Sequence, residues 1–373
     1  MIERAPDVAQ ATTSQGAGLC GQPRSTLERT RLAMHSVATF RELQRDLKVQ
    51  PEWHEVGSIR VALTERRAQE FRELKKVADQ AGLETELIDA AAANKLWPQM
   101  VFKDTTAILW CPSDGYMKPY AVASAYAFQC RKMGVRIATS TRLEQILVKD
   151  GRVTGIKTTQ GIVSCKYVIN AAGANAYHVA KLVGIDLPII PVRHEYFVTI
   201  PMEGLTPDVP CFRIPDMTLY GRPAEGGLLL GGWEPQSMQT DPRTYPLNSE
   251  PPPVQADWPV LGSFEDQFVR LLPEAKGKEK SRVGKGWPTF TPDGRFIIGE
   301  SSRVKGFVMA GGCNAHGISG SAGIGRLLVE SMFEPNPSDY VKSLSPDRFT
   351  ETTWNWTDAR REAAQVYETY YGV

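Results

Sequence analysis

His194 and Tyr196 sit two apart in a strand-like stretch, residues 191–200, so alternation along a pleat puts His194, Tyr196 and Val198 on one face. A neutral imidazole there can accept or steer a proton. The plainer reading is a histidine satisfied on a sheet face. Tyr220, in the next strand-like run at 219–222, adds a hydroxyl, although packing aromatics are common on such sheets. Arg24 and Arg222 are candidate partners for a carboxylate, whose fork a guanidinium matches; either could equally be a surface charge.

A second stretch, residues 285–330, could stabilise charge. Residues 307–310 are a short apolar run stopped by Gly311 and Gly312, which reads as a buried strand. Residues 324–332 carry apolar positions at helical spacing. Between them lies a loop of Gly, Ser and Asn with little bulk. A strand, a bare loop and a helix start present backbone N–H groups to a ligand and favour negative charge. Glycines alone would mean only a tight turn; Thr291, Pro292 and Asp293 just upstream add to the signal. No metal site is expected: the six cysteines (20, 111, 130, 165, 211, 313) form no CxxC pair and no histidine stands at zinc spacing. Buried thiols in a reducing compartment are the default.

Several elements must position these groups. Residues 25–47 have helical periodicity, with Ser25 and Glu28 spaced as a capping box. Residues 55–63 alternate as a strand, and 64–80 form a charged amphipathic helix. A turn-rich hinge at 110–119 introduces a helix over 120–133. Strands follow at 135–141, 143–148 and 153–158, with Asp150 and Gly151 as a hairpin turn. Residues 167–170 make a buried strand running into Ala171, Ala172 and Gly173. Residues 236–256 read as loop, and Ser263 as the N-cap of a helix ending near 272. Gly16, Gly18 and Gly21 spell a literal GxGxxG, but residues 7–15 are polar and do not form the strand that a dinucleotide fingerprint requires.

With 373 residues, 42% hydrophobic and 23% charged, the chain suits one large two-lobed unit or two domains. Lys plus Arg is 43 and Asp plus Glu 42, so the balance implies no attraction to nucleic acid or anionic membrane. No apolar run reaches membrane-spanning length and no secretion signal opens the chain, which suggests a cytoplasmic or mitochondrial-matrix setting.

The Asn170–Gly173 strand end after a three-stranded meander, together with the Thr291–Asp293 turn and the loop to Gly320, resembles FAD-dependent amine oxidoreductases of the D-amino-acid-oxidase superfamily. The likeness is nearest to the dimethylglycine and sarcosine dehydrogenase branch and covers residues 1 to about 370. It implies an α/β, two-lobed fold: an FAD-binding Rossmann-like lobe interleaved with an antiparallel-sheet substrate lobe. The FAD lobe would use residues 1–50, 111–185 and 284–345. The substrate lobe would use 51–110 and 186–283, with a tail at 346–373. By the same resemblance, Glu3 would hold the adenosine ribose, and the loop with Gln15, Gly16, Ala17 and Gly18 would run beneath the flavin. Leu143, Ala172, Gly173, Pro292, Asp293, Gly312, His316, Gly317, Ile318 and Ser319 would complete the cofactor contacts. His194 and Tyr220 would be the catalytic pair. Gln15 stands where those dehydrogenases carry a flavin-linking histidine, so non-covalent FAD is expected. The family's GxGxxG unit and its C-terminal folate domain have no counterpart among these residues.

The implied activity is oxidation of a secondary or tertiary amine such as an N-methyl amino acid, by hydride transfer to flavin N5. It would draw on an electron acceptor or partner subunit. The rival is a non-catalytic interaction protein on the same fold, like the regulatory subunit of pyruvate dehydrogenase phosphatase, or an inactive truncated product.

Overall fold

The structure, a computed structural model, describes residues 1–249 and 251–369. Residues 1–3 pair with the segment around Ala138 through the bridge Ile2 to Ala138, where a longer strand over 135–141 was expected. A two-residue strand, β1 (Leu19–Cys20), precedes helix α1 (Leu27–Arg41). The cap of α1 is Thr26, whose hydroxyl accepts from Arg29 N–H, so the Ser25–Glu28 box is one residue out of phase. Here the hydroxyl reaches the amide three residues on. The helix buries Leu32, Val37 and Phe40 and then widens into a π-turn over Glu42–Asp46. β2 (Ser58–Ala62) leads to α2 (Glu65–Ala81), capped by Thr64 and ended by Gly82 at φ 76°. β3 (Glu86–Ile88), α3 (Ala90–Leu96), β4 (Ala107–Cys111) and β5 (Gly115–Tyr116) follow. α4 (Pro119–Lys132) has proline in its first turn, where no donor is lost.

β6 (Leu143–Lys149), β7 (Arg152–Thr158) and β8 (Gly161–Ser164) form a three-stranded meander in which β8, not the expected strand at 135–141, is the third member. Its first turn has Asp150 at φ 49° and Gly151 at φ 71°, the left-handed pair that such a hairpin favours. β9 (Val168–Asn170) and α5 (Ala176–Lys181) come next, then β10 (Ile190–Pro191), β11 (His194–Thr199), β12 (Cys211–Ile214), β13 (Leu219–Ala224) and β14 (Gly227–Gly232). Helix α6 (Trp258–Phe268) starts five residues before the expected Ser263. Asp257 caps it and Pro259 lies in its first turn, so a stronger start signal lay just upstream. The chain closes with β15 (Lys280–Gly286), β16 (Thr289–Phe290), β17 (Ile297–Glu300), β18 (Phe307–Gly311), α7 (Ser321–Phe333), α8 (Asp339–Ser343), α9 (Asp347–Thr350) and α10 (Trp356–Glu368).

These elements make the expected mixed α/β, two-lobed arrangement. One lobe is an eight-stranded sheet, β15-β11-β14-β13-β12-β2-β4-β3, antiparallel except where β12 meets β2. Its lower face, with Phe212 of β12, packs on Trp97, Phe264 and Phe268. Its upper face carries Tyr196, Tyr220 and Trp233 against Tyr367 of α10. The other lobe holds the sheet β17-β18-β9, in which β18 and β9 are parallel. β9 forms one edge of that sheet, and Ile169 on it is 48% exposed. No helix among the described residues is long and apolar enough to cross a membrane.

Candidate active site

Strand register builds the upper face of the large sheet. Arg213 pairs with Tyr220, Tyr220 with Gly231, Gly231 with Tyr196, and Tyr196 with Gly284. Directly opposed residues share a face, so these five form one row across β12, β13, β14, β11 and β15. The glycines in the row are spaces for its rings. A Cβ on Gly231 would stand 2.4 Å from Tyr220 Oη, and one on Gly284 would stand 2.1 Å from Tyr196 Cζ. Both phenols therefore lie down across the sheet, and Tyr220 Oη reaches His194 Nε2 at 2.7 Å. The two rings stack at 5.5 Å and 20°. The other imidazole nitrogen, Nδ1, lies 3.3 Å from Tyr367 Oη. Burial, then the nearby Arg213 charge, pushes the His194 pKa down to about 4, so the ring is neutral at pH 7.

The loop of Gln15–Gly18 lies over this face. Gly286, opposite His194, leaves room for Gln15: a Cβ there would stand 2.2 Å from Gln15 Oε1. Tyr196 Oη donates to Gly16 O at 3.3 Å, Arg222 Nε to Ala17 O at 2.7 Å, and Met117 N to Gly18 O at 3.0 Å. Gly18 must be glycine: its φ is 77° and a Cβ would fall 2.1 Å from Met117 O. Arg222 also donates to Pro223 O and lies 4.6 Å above the Tyr116 ring. Its guanidinium thus moors the loop, and this is the geometry of a structural arginine rather than of the carboxylate partner suggested by its type. Ile318 joins the group from the opposite side, its Cδ1 2.7 Å from where a Gly16 Cβ would be.

A second locus adjoins the first through the Asn314–Gly320 loop. A cavity of about 190 Å³ is lined by Arg24, Arg29, Leu32, Asp293, His316 and Ser319, among others. That is below the roughly 300 Å³ at which pockets for drug-sized ligands begin, so it admits part of a ligand only. His316 Nδ1 lies 2.6 Å from Asn314 O. Burial, then Arg24, Arg213 and Arg29, holds its pKa well below the usual value. Asp293 is half-buried; burial alone would raise its pKa, but ion pairing with Arg348 at 2.8 Å and with Arg295 keeps the carboxyl below its usual range. It pins the turn that begins at Thr291, which is itself tied by its amide to Asn314 Oδ1, and Pro292 occupies that turn. Gly312, at φ 58°, passes so close that a Cβ would meet Thr291 Cγ2 at 2.5 Å. The start of α7 is partly engaged: Gly323 N–H donates to Ser36 Oγ. Beside Gly317, by contrast, a Cβ would meet only Cys313 Cβ, at 3.7 Å.

The remaining sequence candidates lie apart from both loci. Ala172 and Gly173 are exposed beyond the carboxyl end of β9, the end of the sheet shared with Gly311 and Gly312. Open α/β sheets bind ligands outside that end. Glu3 uses its carboxylate to accept Ala5 N–H at 2.9 Å, and its carbonyl accepts from Thr141 N. Leu143, two residues on, packs in the meander core. Arg213 was not foreseen, although a lone charge between Phe212 and Ile214 in a buried strand was a legible sign. Glu234 and Tyr367 had no local sign at all.

The residues present fit the ring end of FAD. Gly317 keeps side-chain bulk out of the way of a flat ring, Gly16 and Gly286 are covered by Ile318 and Gln15, and the loop is fixed by three carbonyl hydrogen bonds. Among the described residues no cluster of three His, Cys, Asp or Glu could hold a metal ion.

Comparison with known proteins agrees. The profile of the family described as FAD dependent oxidoreductase matches residues 1–331. 4-methylaminobutanoate oxidase (formaldehyde-forming) of Paenarthrobacter nicotinovorans is 27% identical over 95% of this chain and 43% of its own length. The mitochondrial pyruvate dehydrogenase phosphatase regulatory subunit of Mus musculus is 27% identical over 98% of this chain and 42% of its own. Mitochondrial dimethylglycine dehydrogenase of Rattus norvegicus is 25% identical over 98% and 43%. The chain thus spans less than half the length of these relatives. Among solved structures, L-proline dehydrogenase from P. horikoshii superposes with a TM-score of 0.82 at 20% identity, covering 94% of this chain and 90% of the other, which shows the shared fold. The matched profile covers most of the sequence, and on that ground this chain belongs to the FAD dependent oxidoreductase family.

Proposed function

We propose that this chain carries out FAD-dependent oxidation of a secondary or tertiary amine bearing a carboxylate, such as an N-methyl amino acid. The observation that carries the reading is the 2.7 Å His194–Tyr220 pair, its phenol seated over Gly231 beneath the Gln15–Gly18 loop. The chemistry FAD supplies when bound is acceptance of a hydride from the carbon beside nitrogen, leaving an iminium that water splits into amine and aldehyde.

The chain's own residues prepare the amine. A protonated amine has no lone pair to assist hydride loss, so its proton must leave first. Neutral His194, bonded through Nε2 to Tyr220, holds the hydroxyl that can steer that proton. Arg213 stands beside Tyr220 in the same row, and its charge is felt at both His194 and His316. With Arg24, it draws a carboxylate toward the site and sets the amine against the imidazole. Binding by Gln15, Gly16, Ala17, Gly18, Gly317 and Ile318 would keep the cofactor ring over the sheet, His316 and Ser319 would border it, and Ala172 and Gly173 would meet the cofactor away from the ring.

The test is to purify the chain, add FAD, remove excess, and record the visible spectrum before and after sarcosine, dimethylglycine or 4-methylaminobutanoate without oxygen. Retained flavin absorbance that one of these amines bleaches is the expected result. Protein that takes up no FAD, or that stays oxidised with all three, overturns the reading and favours an interaction role on this fold.

A further inference from the structure

The row of residues that carries Tyr220 runs on beyond Arg213. β12 and β2 are parallel neighbours, and Arg213 is directly opposed to Arg60. Arg60 therefore looks to the same face as Tyr220, one strand past Arg213. It is 3% exposed. A charge at that depth normally has a carboxylate against it. What Arg60 meets is a carbonyl: its Nη2 donates to Pro23 O at 2.7 Å, and Arg24 Nη1 shares the same oxygen at 3.0 Å. Its other terminal nitrogen, Nη1, is buried and has no hydrogen-bond partner among the described residues. Asp114 lies across Gly21 from it, but the Asp114 oxygens already accept from Gln22 N at 2.8 Å and from Ser58 Oγ at 2.6 Å. Beside Arg60 is a cavity of about 10 Å³, lined by Cys20, Ser58, Cys211 and Arg213 among others. That is room for one water or one ligand oxygen.

We propose that Arg60 is a substrate contact: its Nη1 takes one oxygen of the substrate carboxylate, beside Arg213, and so selects methylamino acids in which three or more methylenes separate nitrogen from carboxylate. The sheet sets the length. Tyr220 Oη lies over Gly231 of β14. The cavity lies over β12 and β2, two and three strands away. At about 4.8 Å per strand the span is roughly 10–14 Å. A hydrogen bond at each end, from Tyr220 to the amine and from Nη1 to the carboxylate, covers about 3 Å apiece. In an α-amino acid the carboxylate oxygens stand roughly 3–3.5 Å from nitrogen, and the ligand falls short. Three methylenes carry them to roughly 6 Å, and the span closes. Arg213 stands between the two ends and faces the chain that joins them. That the ligand is an amine rests on the function proposed above; that Arg60 holds a remote carboxylate does not.

Heat-denaturation midpoints of the full chain, with and without FAD, test this without turnover. The probes are 4-methoxybutanoate and methoxyacetate, in which an ether replaces the amine, and sodium chloride at matched ionic strength. 4-Methoxybutanoate should raise the wild-type midpoint with a saturable dose dependence, and methoxyacetate should need at least about tenfold more for the same rise. Arg60→Gln should weaken 4-methoxybutanoate by about tenfold or more, as loss of a charge-assisted hydrogen bond implies, and should bring the two acids together. Arg60→Lys keeps the charge and a donor for Pro23 O, so it carries the test if Arg60→Gln does not fold. With one nitrogen in place of two, it too should lose most of the preference for the longer acid. The proposal is overturned if no acid moves the wild-type midpoint, if the longer acid binds no better than the shorter, or if its affinity is the same in the variants. A midpoint that chloride raises as far as the acids do would leave Arg60 with a water or an inorganic ion only, and would overturn it as well. A wild type that discriminates acid length through Arg60 yet oxidises no amine refutes the function proposed above and leaves this inference standing. Amine oxidation with a KM indifferent to Arg60 and to spacer length does the reverse.

Discussion

Gly231→Ala puts a methyl where the Tyr220 phenol now lies. An ideal Cβ would stand 2.4 Å from Tyr220 Oη, 2.6 Å from Cζ and 2.8 Å from Tyr196 Cβ. Non-bonded carbons rest at about 3.5–4.0 Å, so the phenol must move by roughly 1 Å. A movement of that size stretches its 2.7 Å bond to His194 past the hydrogen-bonding range. Overpacking of a closed core costs about 1–3 kcal/mol and the lost bond about 1 kcal/mol, so the variant should be about 2–4 kcal/mol less stable. Urea unfolding of the single variant, of Tyr220→Ala and of the double variant measures this. In the double variant the methyl no longer meets a ring, so Gly231→Ala should cost at least about 1 kcal/mol less there. A cost below about 0.5 kcal/mol, or one equal in both backgrounds, would mean that the phenol does not lie across Gly231, and the stacked pair on which the catalytic reading depends would fall with it.

Three further outcomes are expected. Glu195 is pushed up to about 7 by burial, against the opposing pull of the Asp257 amide and Arg193. Its folded pKa thus exceeds the ordinary glutamate value of 4.5, and the folded state binds more protons between the two. Stability should therefore fall as pH rises through that window, and urea midpoints at about pH 5 and pH 8 should converge in Glu195→Gln. Arg222→Ala frees Ala17 O and uncovers Tyr116, so retention of FAD on a desalting column should drop while α2, on another part of the fold, keeps its helical signal; unchanged retention would show that the loop needs no mooring. Arg213→Gln should raise KM for an N-methyl amino acid by about tenfold or more, as loss of a charge-assisted contact of about 1.5–3 kcal/mol implies, and should spare an amine without a carboxylate. Equal loss on both substrates would argue against carboxylate recognition.

The elements that could be read from the sequence were those with local signals. The Asp150–Gly151 turn carries its own turn chemistry, the 64–80 helix its own periodicity and the 219–222 run its strand pattern, and each appears in place. Helix starts slipped where two capping residues competed. Ser25 and Thr26 are adjacent, and Asp257 precedes Ser263 with Pro259 between; periodicity does not choose among them. Pairing of His194 with Tyr220 was suggested by the family resemblance and not by any local pattern. That they touch depends on Gly231 and Gly286, whose absent side chains mark no periodicity. Tyr367 was hidden more deeply. It reaches His194 from 173 positions away, on a helix that had been read as part of a tail.

β9 and β18 form a parallel pair although roughly 140 residues separate them. Closing a loop of that length costs about 4 kcal/mol of chain entropy before the seam returns anything. The seam should therefore form late in folding, after the meander and the large sheet have supplied their nearer contacts. Until it does, β9 is unpaired on both sides, with Ile169 among its side chains. Such a strand will join whichever neighbour it meets first, another copy included. Yield on refolding should accordingly be governed by protein concentration, and dilution should rescue material that slow cooling does not.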